Sequence, residues 1–168
     1  MPSKKSLLVV GTGAVGGTLL VRLQQAAVKA VALTTQDSYQ RILQSGLKVK
    51  LSDNHEYLYL GEVYYSLPDD YFFDYAIITT KSYVNATIQP VLEKKMNKDS
   101  SILIFQNGIG IEGPFMKKKE WTIIRAVSSF GAFRENKVSI IEKGVGKTKI
   151  GLIAGNNRKI LEFWKSVK

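Results

Sequence analysis

The chain has no cysteine and a single histidine, His55. Without thiols, disulfides and thiolate metal sites are excluded, and one imidazole cannot build a histidine-rich metal centre. His55 stands in "LSDNHEYLYL", where turn residues precede an aromatic strand, and it reads as a solvent-facing turn residue. Long apolar runs are missing too. Nothing approaches the roughly 20 residues that span a bilayer, and the basic start "MPSKKSLLVVGTG" carries too short an apolar stretch for a signal peptide or anchor. The expectation is a cytoplasmic chain with no membrane partner. Acidic residues are few, 14 against 24 Lys and Arg, for a formal charge of +10. That excess raises the question of nucleic acid. The lysine clusters "EKKMNK" and "MKKKE", however, sit at expected helix ends, where cations complement the helix dipole, and no aromatic residues interleave them. Nucleic acid is therefore not an expected partner, and the charge serves solubility and attraction of small anions.

What is present begins with "LLVVGTGAVGGTLL", residues 7 to 20. Gly11, Gly13 and Gly16 form G-x-G-x-x-G after a short leucine and valine run, and Val15, Leu19 and Leu23 follow at helical spacing. Strand, glycine loop and helix stand in the order of a dinucleotide-binding fingerprint. In that geometry Gly11 makes the tight turn, Gly13 lets the backbone approach a pyrophosphate, and Gly16 packs the helix on the strand. The helix N-terminus, from Thr12 through Ala14 and Val15, presents free N–H groups to the phosphates. The competing reading is a glycine-rich turn that holds nothing.

At 168 residues and 45% apolar content the chain fits one domain that buries roughly 70% of its unfolded surface. A second strand is expected over 28–35, a short helix in "SYQRILQSG" ended by Gly46, and a hairpin over 47–65 around "SDN". Buried strands follow in "DYAIITT" and "SILIF", separated by a helix that Pro90 should divide or restart. "TIIRAVSSFGAF" and "KVSIIEKGVGKTKIG" read as strands with turns that extend the sheet or cover its edge, and "NNRKILEFWKSVK" as a closing amphipathic helix. The fold class is thus α/β, a Rossmann-type, mostly parallel sheet flanked by helices with extra C-terminal strands. One motif fails: "GVGKT" would need glycine at 141 to be an ATP phosphate loop, and Ile141 stands there.

Two further residues fall at carboxyl ends of expected strands, where open α/β sheets bind ligands. Lys81 in "TTKSY" can attract a carboxylate or phosphate, and Asn107 in "FQNGIG" can both donate and accept hydrogen bonds. Taken singly, Lys81 is also a solvated lysine at a helix start, and Asn107 also an Asn-Gly turn in left-handed geometry. With the glycine loop and the late "KGVGKTKIG", these segments resemble the N-terminal domain of the ketopantoate reductase (2-dehydropantoate 2-reductase) family over nearly the whole chain. The resemblance implies NADPH binding and hydride transfer to the keto group of 2-dehydropantoate, giving pantoate for coenzyme A synthesis. It places Gly11–Gly16 on the cofactor, Lys81 near nicotinamide and substrate, and Asn107 against both. It also implies, more loosely, that Ala132 in "SSFGAF" lies near the nicotinamide.

At the end of the second strand stands "LTTQD", where family members often carry arginine. An NAD site usually has Asp or Glu at this point, whereas an NADP site leaves room and adds polar or positive groups. Thr35 and Gln36 are uncharged although Asp37 is close, so NADP is expected over NAD, with Thr35 and Gln36 as hydroxyl and amide partners. Ketone reduction also needs a proton donor near the developing alkoxide. The resemblance puts that donor, a lysine, on a helical C-terminal domain. The expectation is that residues 1–168 are the cofactor-binding domain, that the helical domain is absent from the chain, and that the isolated chain is inactive. Lys165 and Lys168 follow "KTKIG" too closely to take the donor's role, leaving Lys81 as an auxiliary acid. The alternatives are a reductase of another 2-keto acid or an opine-like substrate, and a dinucleotide-binding module without chemistry. Oligomeric state stays open.

Overall fold

The computed structural model describes residues 7–144, 146–156 and 158. Two sheets organise them. The larger has seven strands: β1 (Leu7–Val10), β2 (Ala30–Leu33), β5 (Val63–Tyr64), β6 (Phe73–Ile78), β7 (Met96–Ile104), β8 (Thr122–Ser128) and β11 (Thr148–Ala154). Their order is β11-β8-β7-β6-β1-β2-β5. Every neighbouring pair is parallel except the edge strand β11, which runs antiparallel to β8. The expected mostly parallel α/β sheet is therefore the fold.

The strands alternate their side chains between two cores. Leu7 and Val9 join one cluster with Leu20, Val21 and Leu23 of α1 (Ala14–Gln25) and Ile42 of α2 (Gln36–Ser45). Leu8 and Val10 join the other, with Leu92 of α3 (Asn85–Lys95), Phe115 and Trp121. A strand covered on both faces must be apolar throughout, which is why "LLVV" carries no polar alternation. β1 lies at the centre, hydrogen-bonded to β2 on one side and β6 on the other. Its connection runs through α1 to β2, so the loops leaving β1 and β6 diverge and open a crevice at the carboxyl edge.

The second sheet, of four strands, was not expected. Its order is β4-β3-β10-β9, built from β3 (Leu47–Lys50), β4 (Glu56–Tyr59), β9 (Gly131–Arg134) and β10 (Ser139–Gly144). The hairpin forms as β3 and β4, but Val63–Tyr64 leave it to extend the main sheet beside β2. The late strands do two things. β8 and β11 extend the main sheet, whereas β9 and β10 cross to β3, pairing Ser139 with Lys48. This sheet packs on α1: Gly17 faces Ile140 so closely that a Cβ would overlap its Cδ1. Arg22 of α1 also donates through Nε (2.9 Å) and Nη2 (2.5 Å) to the buried Glu142 carboxylate of β10. Burial pushes the Glu142 pKa up, but bonds from Arg22 and the Ser52 amide prevail and hold it below its ordinary value.

Other boundaries moved for local reasons. Residues 28–29 and 34–35 lie outside β2; Ala27 turns the chain at φ 58, and Thr35 caps α2. α3 runs continuously through Pro90, neither divided nor restarted. Pro90 and Ala86, whose carbonyl loses its amide partner, are both exposed, so water can take the freed acceptor. β7 starts five residues before the expected "SILIF", with a register shift opposite Phe73 and Tyr75 that absorbs the polar stretch Asn97–Asp99. The expected closing helix, with Trp164, Lys165 and Lys168, lies outside the described residues apart from Asn156 and Arg158.

Candidate functional site

A cleft of about 1340 Å³ opens at the carboxyl edge of the main sheet. Its floor is the glycine loop. Gly11 takes φ +104, a conformation that side-chain-bearing residues avoid, and a Cβ there would sit 2.9 Å from Thr79 Oγ1. Gly16 lies beneath, where a Cβ would overlap the Gly11 carbonyl oxygen and Thr79 Oγ1. Around Gly13, at φ −72, a Cβ would meet nothing within 4 Å, because the residue faces open cleft. Gly17 N donates to Gly13 O at 2.8 Å, closing the first turn of α1. The amides before it have no carbonyl acceptor inside the helix and stand at its positive end. A pyrophosphate fits this arrangement: space at Gly13, free donors, and a helix dipole of the right sign.

Thr12 is buried, and its Oγ1 lies 2.6 Å from Thr34 Oγ1, tying the loop to the end of β2. Thr35 lines the cleft, while its hydroxyl caps α2, accepting from Ser38 N at 3.3 Å and donating to Ser38 Oγ at 3.1 Å. Gln36 begins α2 and is exposed; neither it nor Gly16 lines the cleft. Asp37 is bound by Lys137 Nζ (2.5 Å) and Arg41 Nε (3.1 Å). The Lys137 bond is foremost in holding its carboxyl below the ordinary range, and Asp37 does not line the cleft.

Lys81 and Asn107 line the same cleft, both exposed. Lys81 precedes a 3-10 turn over Ser82–Val84, so it does stand at a helix start. In the Asn-Gly pair the left-handed residue is Gly108, at φ +126, and Asn107 is not among the positive-φ residues. Among the described residues no hydrogen bond or ion pair engages either side chain. Their neighbours are instead locked together. Gln106 Nε2 donates to Thr80 O at 2.7 Å, so the residue before Asn107 holds the residue before Lys81. Asn85, 1% exposed, exchanges amide bonds of 2.9 Å with Gln106 and donates to Ile111 O at 3.0 Å. Such a buried, fully bonded amide pair gives the two cleft residues a fixed separation.

Ala132, on β9, which packs against α1, also lines the cleft. The sequence reading missed Arg134, two residues on, which also lines the cleft. Its Nη2 donates to Lys137 O at 2.6 Å, beside the start of α2. No local signal marks it, because β9 reaches the cleft only through the second sheet. Tyr65, Thr80, Ser128 and Phe130 likewise line the cleft without having been singled out. His55 stands in the β3–β4 turn, 75% exposed at its side chain, and lies outside the cleft.

The family model for ketopantoate reductase PanE/ApbA matches residues 7–155. The chain belongs to this family. A 2-dehydropantoate 2-reductase of Nostoc sp. (strain PCC 7120) is 27% identical over 110 residues, 66% of this chain and 34% of the relative. The solved 2-dehydropantoate 2-reductase of Geobacter metallireducens GS-15 superposes at TM-score 0.82 with 21% identity, covering 96% of this chain and 54% of its own. A D-mandelate dehydrogenase solved with NADH and anilino(oxo)acetate gives TM-score 0.83 at 18% identity, covering 96% of this chain and 53% of its own. The chain thus spans about half the length of these structures, and at such identities they share its fold.

Proposed function

We propose that the chain is the cofactor-binding part of an NADPH-dependent reductase that converts 2-dehydropantoate to pantoate in the cytoplasm. The observation that carries this reading is one cleft combining a glycine loop at a helix N-terminus with Lys81 and Asn107 at the ends of neighbouring strands. Membership of the ketopantoate reductase family supports the substrate class, a small 2-keto acid. NADPH, when bound, supplies the hydride. The amides at Thr12–Val15 receive the pyrophosphate, Asn107 donates to a carbonyl oxygen, and Lys81 attracts the substrate carboxylate and serves as an auxiliary acid. Ala132 closes the wall beside the nicotinamide. No described residue is assigned the role of main proton donor.

The preference for NADPH over NADH rests on charge. Asp37, the acid nearest in sequence to the end of β2, is occupied by two cations, whereas Arg134 lines the same cleft as Thr35 and Ser38 and donates to the carbonyl of Lys137, the partner of Asp37. A guanidinium there suits a 2′-phosphate, and Thr35 adds a polar group. Titrating the chain with NADPH and NADH tests the reading: tighter NADPH binding supports it, and tighter NADH binding would replace it with an NAD-dependent enzyme. Competition of 2-dehydropantoate with other 2-keto acids in turnover by a catalytically complete enzyme tests the substrate.

A further inference from the structure

We infer that Arg125 is a positioning residue, whose guanidinium grips the backbone on both sides of Asn107 and so fixes the direction of that amide into the cleft. The inference rests on the proposed role of Asn107. Arg125 lies on β8 opposite Ile104, the last residue of β7, directly beside the point where the Gln106–Gly110 loop departs. Its Nη2 donates to Gly108 O at 2.9 Å and to Gln106 O at 3.3 Å, and its Nη1 donates to Glu112 Oε2 at 2.9 Å. Two of the three bonds go to this loop and bracket a single residue, Asn107, and the third goes to Glu112 just beyond it.

The energetics favour this purpose over a general contribution to the fold. Arg125 is 15% exposed at its side chain and Glu112 20%, so the pair is drawn largely out of water. Arg125 Nε is buried with no partner among the described residues, a desolvation loss that an apolar residue in this strand would avoid. Two positions of the loop, Gly108 at φ +126 and Gly110 at φ +70, are glycines in left-handed geometry, and such segments have many alternative conformations. The loop's own backbone bond, from Gly113 N to Gly110 O, is long at 3.5 Å. Gln106 anchors its start and Asn85 holds Ile111, and on either side of Asn107 the carbonyls of Gln106 and Gly108 are held by the planar guanidinium fork. A lysine, with one point charge, could not reproduce bonds in those separate directions.

The test uses the 168-residue chain with two probes, NADPH and 2′,5′-ADP, the second lacking the nicotinamide half that Asn107 would meet. Asn107→Ala and Arg125→Gln should each weaken NADPH about tenfold while leaving 2′,5′-ADP unchanged. Glu112→Gln, which keeps the carbonyl bonds, should shift NADPH in the same direction by less. Amide hydrogen exchange should accelerate at Gly108 and Ile109 in Arg125→Gln without change in β1 or β6. The proposal is overturned if Asn107→Ala loses NADPH affinity and Arg125→Gln keeps it, or if Arg125→Gln weakens both probes alike. If Asn107→Ala changes nothing, the role given to Asn107 fails and the inference with it. Should Arg125→Gln not fold, Glu112→Gln decides, and an unchanged NADPH to 2′,5′-ADP ratio overturns the proposal.

Discussion

Replacing Gly16 and Gly13 by alanine, one at a time, should separate the glycine that builds the loop from the glycine that serves a ligand. At Gly16 a Cβ would overlap the Gly11 carbonyl oxygen and Thr79 Oγ1, and would lie 3.0 Å from the Gly11 carbonyl carbon. None of these atoms can yield easily. Gly11 N is bonded to Leu33 O at 2.8 Å, and Thr79 Oγ1 donates to both Val10 O and Gly11 O. The overlap should cost about 3 kcal/mol, at the upper end of core overpacking, and lower the melting temperature by roughly 6–12 °C for a chain of this size. Gly13 is at φ −72 with open space around it, so alanine adds no strain. A slightly poorer helix cap and a stiffer unfolded chain should nearly cancel, leaving stability within about 0.5 kcal/mol. The added methyl instead occupies the space through which a pyrophosphate must approach, so NADPH affinity should fall about tenfold or more. Thermal unfolding by circular dichroism and NADPH titration read both effects. If Gly13→Ala melts as early as Gly16→Ala, or binds NADPH as wild type does, the division of labour is refuted.

Arg134→Gln should weaken NADPH about tenfold and leave NADH unchanged; equal effects on the two cofactors in parallel titrations would remove Arg134 from the specificity argument. Lys81→Ala should weaken NADPH several-fold without altering thermal stability, since no partner holds Lys81 among the described residues, and a lowered melting temperature would point to a structural role instead. Glu142→Gln should destabilise the chain by about 1–3 kcal/mol, discounted because Arg22 is 39% exposed at its side chain. The sign with pH follows from the lowered Glu142 pKa: its contribution is fully present above the ordinary carboxylate value of 4.5 and fades as pH falls through the folded value. Wild type should therefore lose more stability than Glu142→Gln on acidification below that value, and parallel denaturation curves for the two would contradict the ion pair's importance.

The sequence carried local information well and long-range pairing poorly. The turn at Gly11 and the packing at Gly16 depend on neighbours within one strand-loop-helix unit, and both were readable from spacing. The second sheet was not readable, because β3 finds its parallel partner in β10 only after the chain has built most of the main sheet. Arg134 and Ala132 reach the cleft wall through that sheet, and only the resemblance pointed to Ala132. Arg125 left a fainter trace: a charged residue inside the apolar run "TIIRAV" must find partners, and its position asked for an explanation that composition alone does not supply. Pro90 shows the opposite error, where a rule for helix interiors met an exposed face that tolerates the lost bond.

The most direct test of the account is calorimetric titration of the chain with NADPH and NADH, with Gly13→Asp as control. Binding should be saturable, tighter for NADPH, and abolished when a carboxylate stands where the pyrophosphate should lie. Undiminished binding in Gly13→Asp would show that the cofactor does not use the glycine loop, and the site argued from this cleft would be wrong.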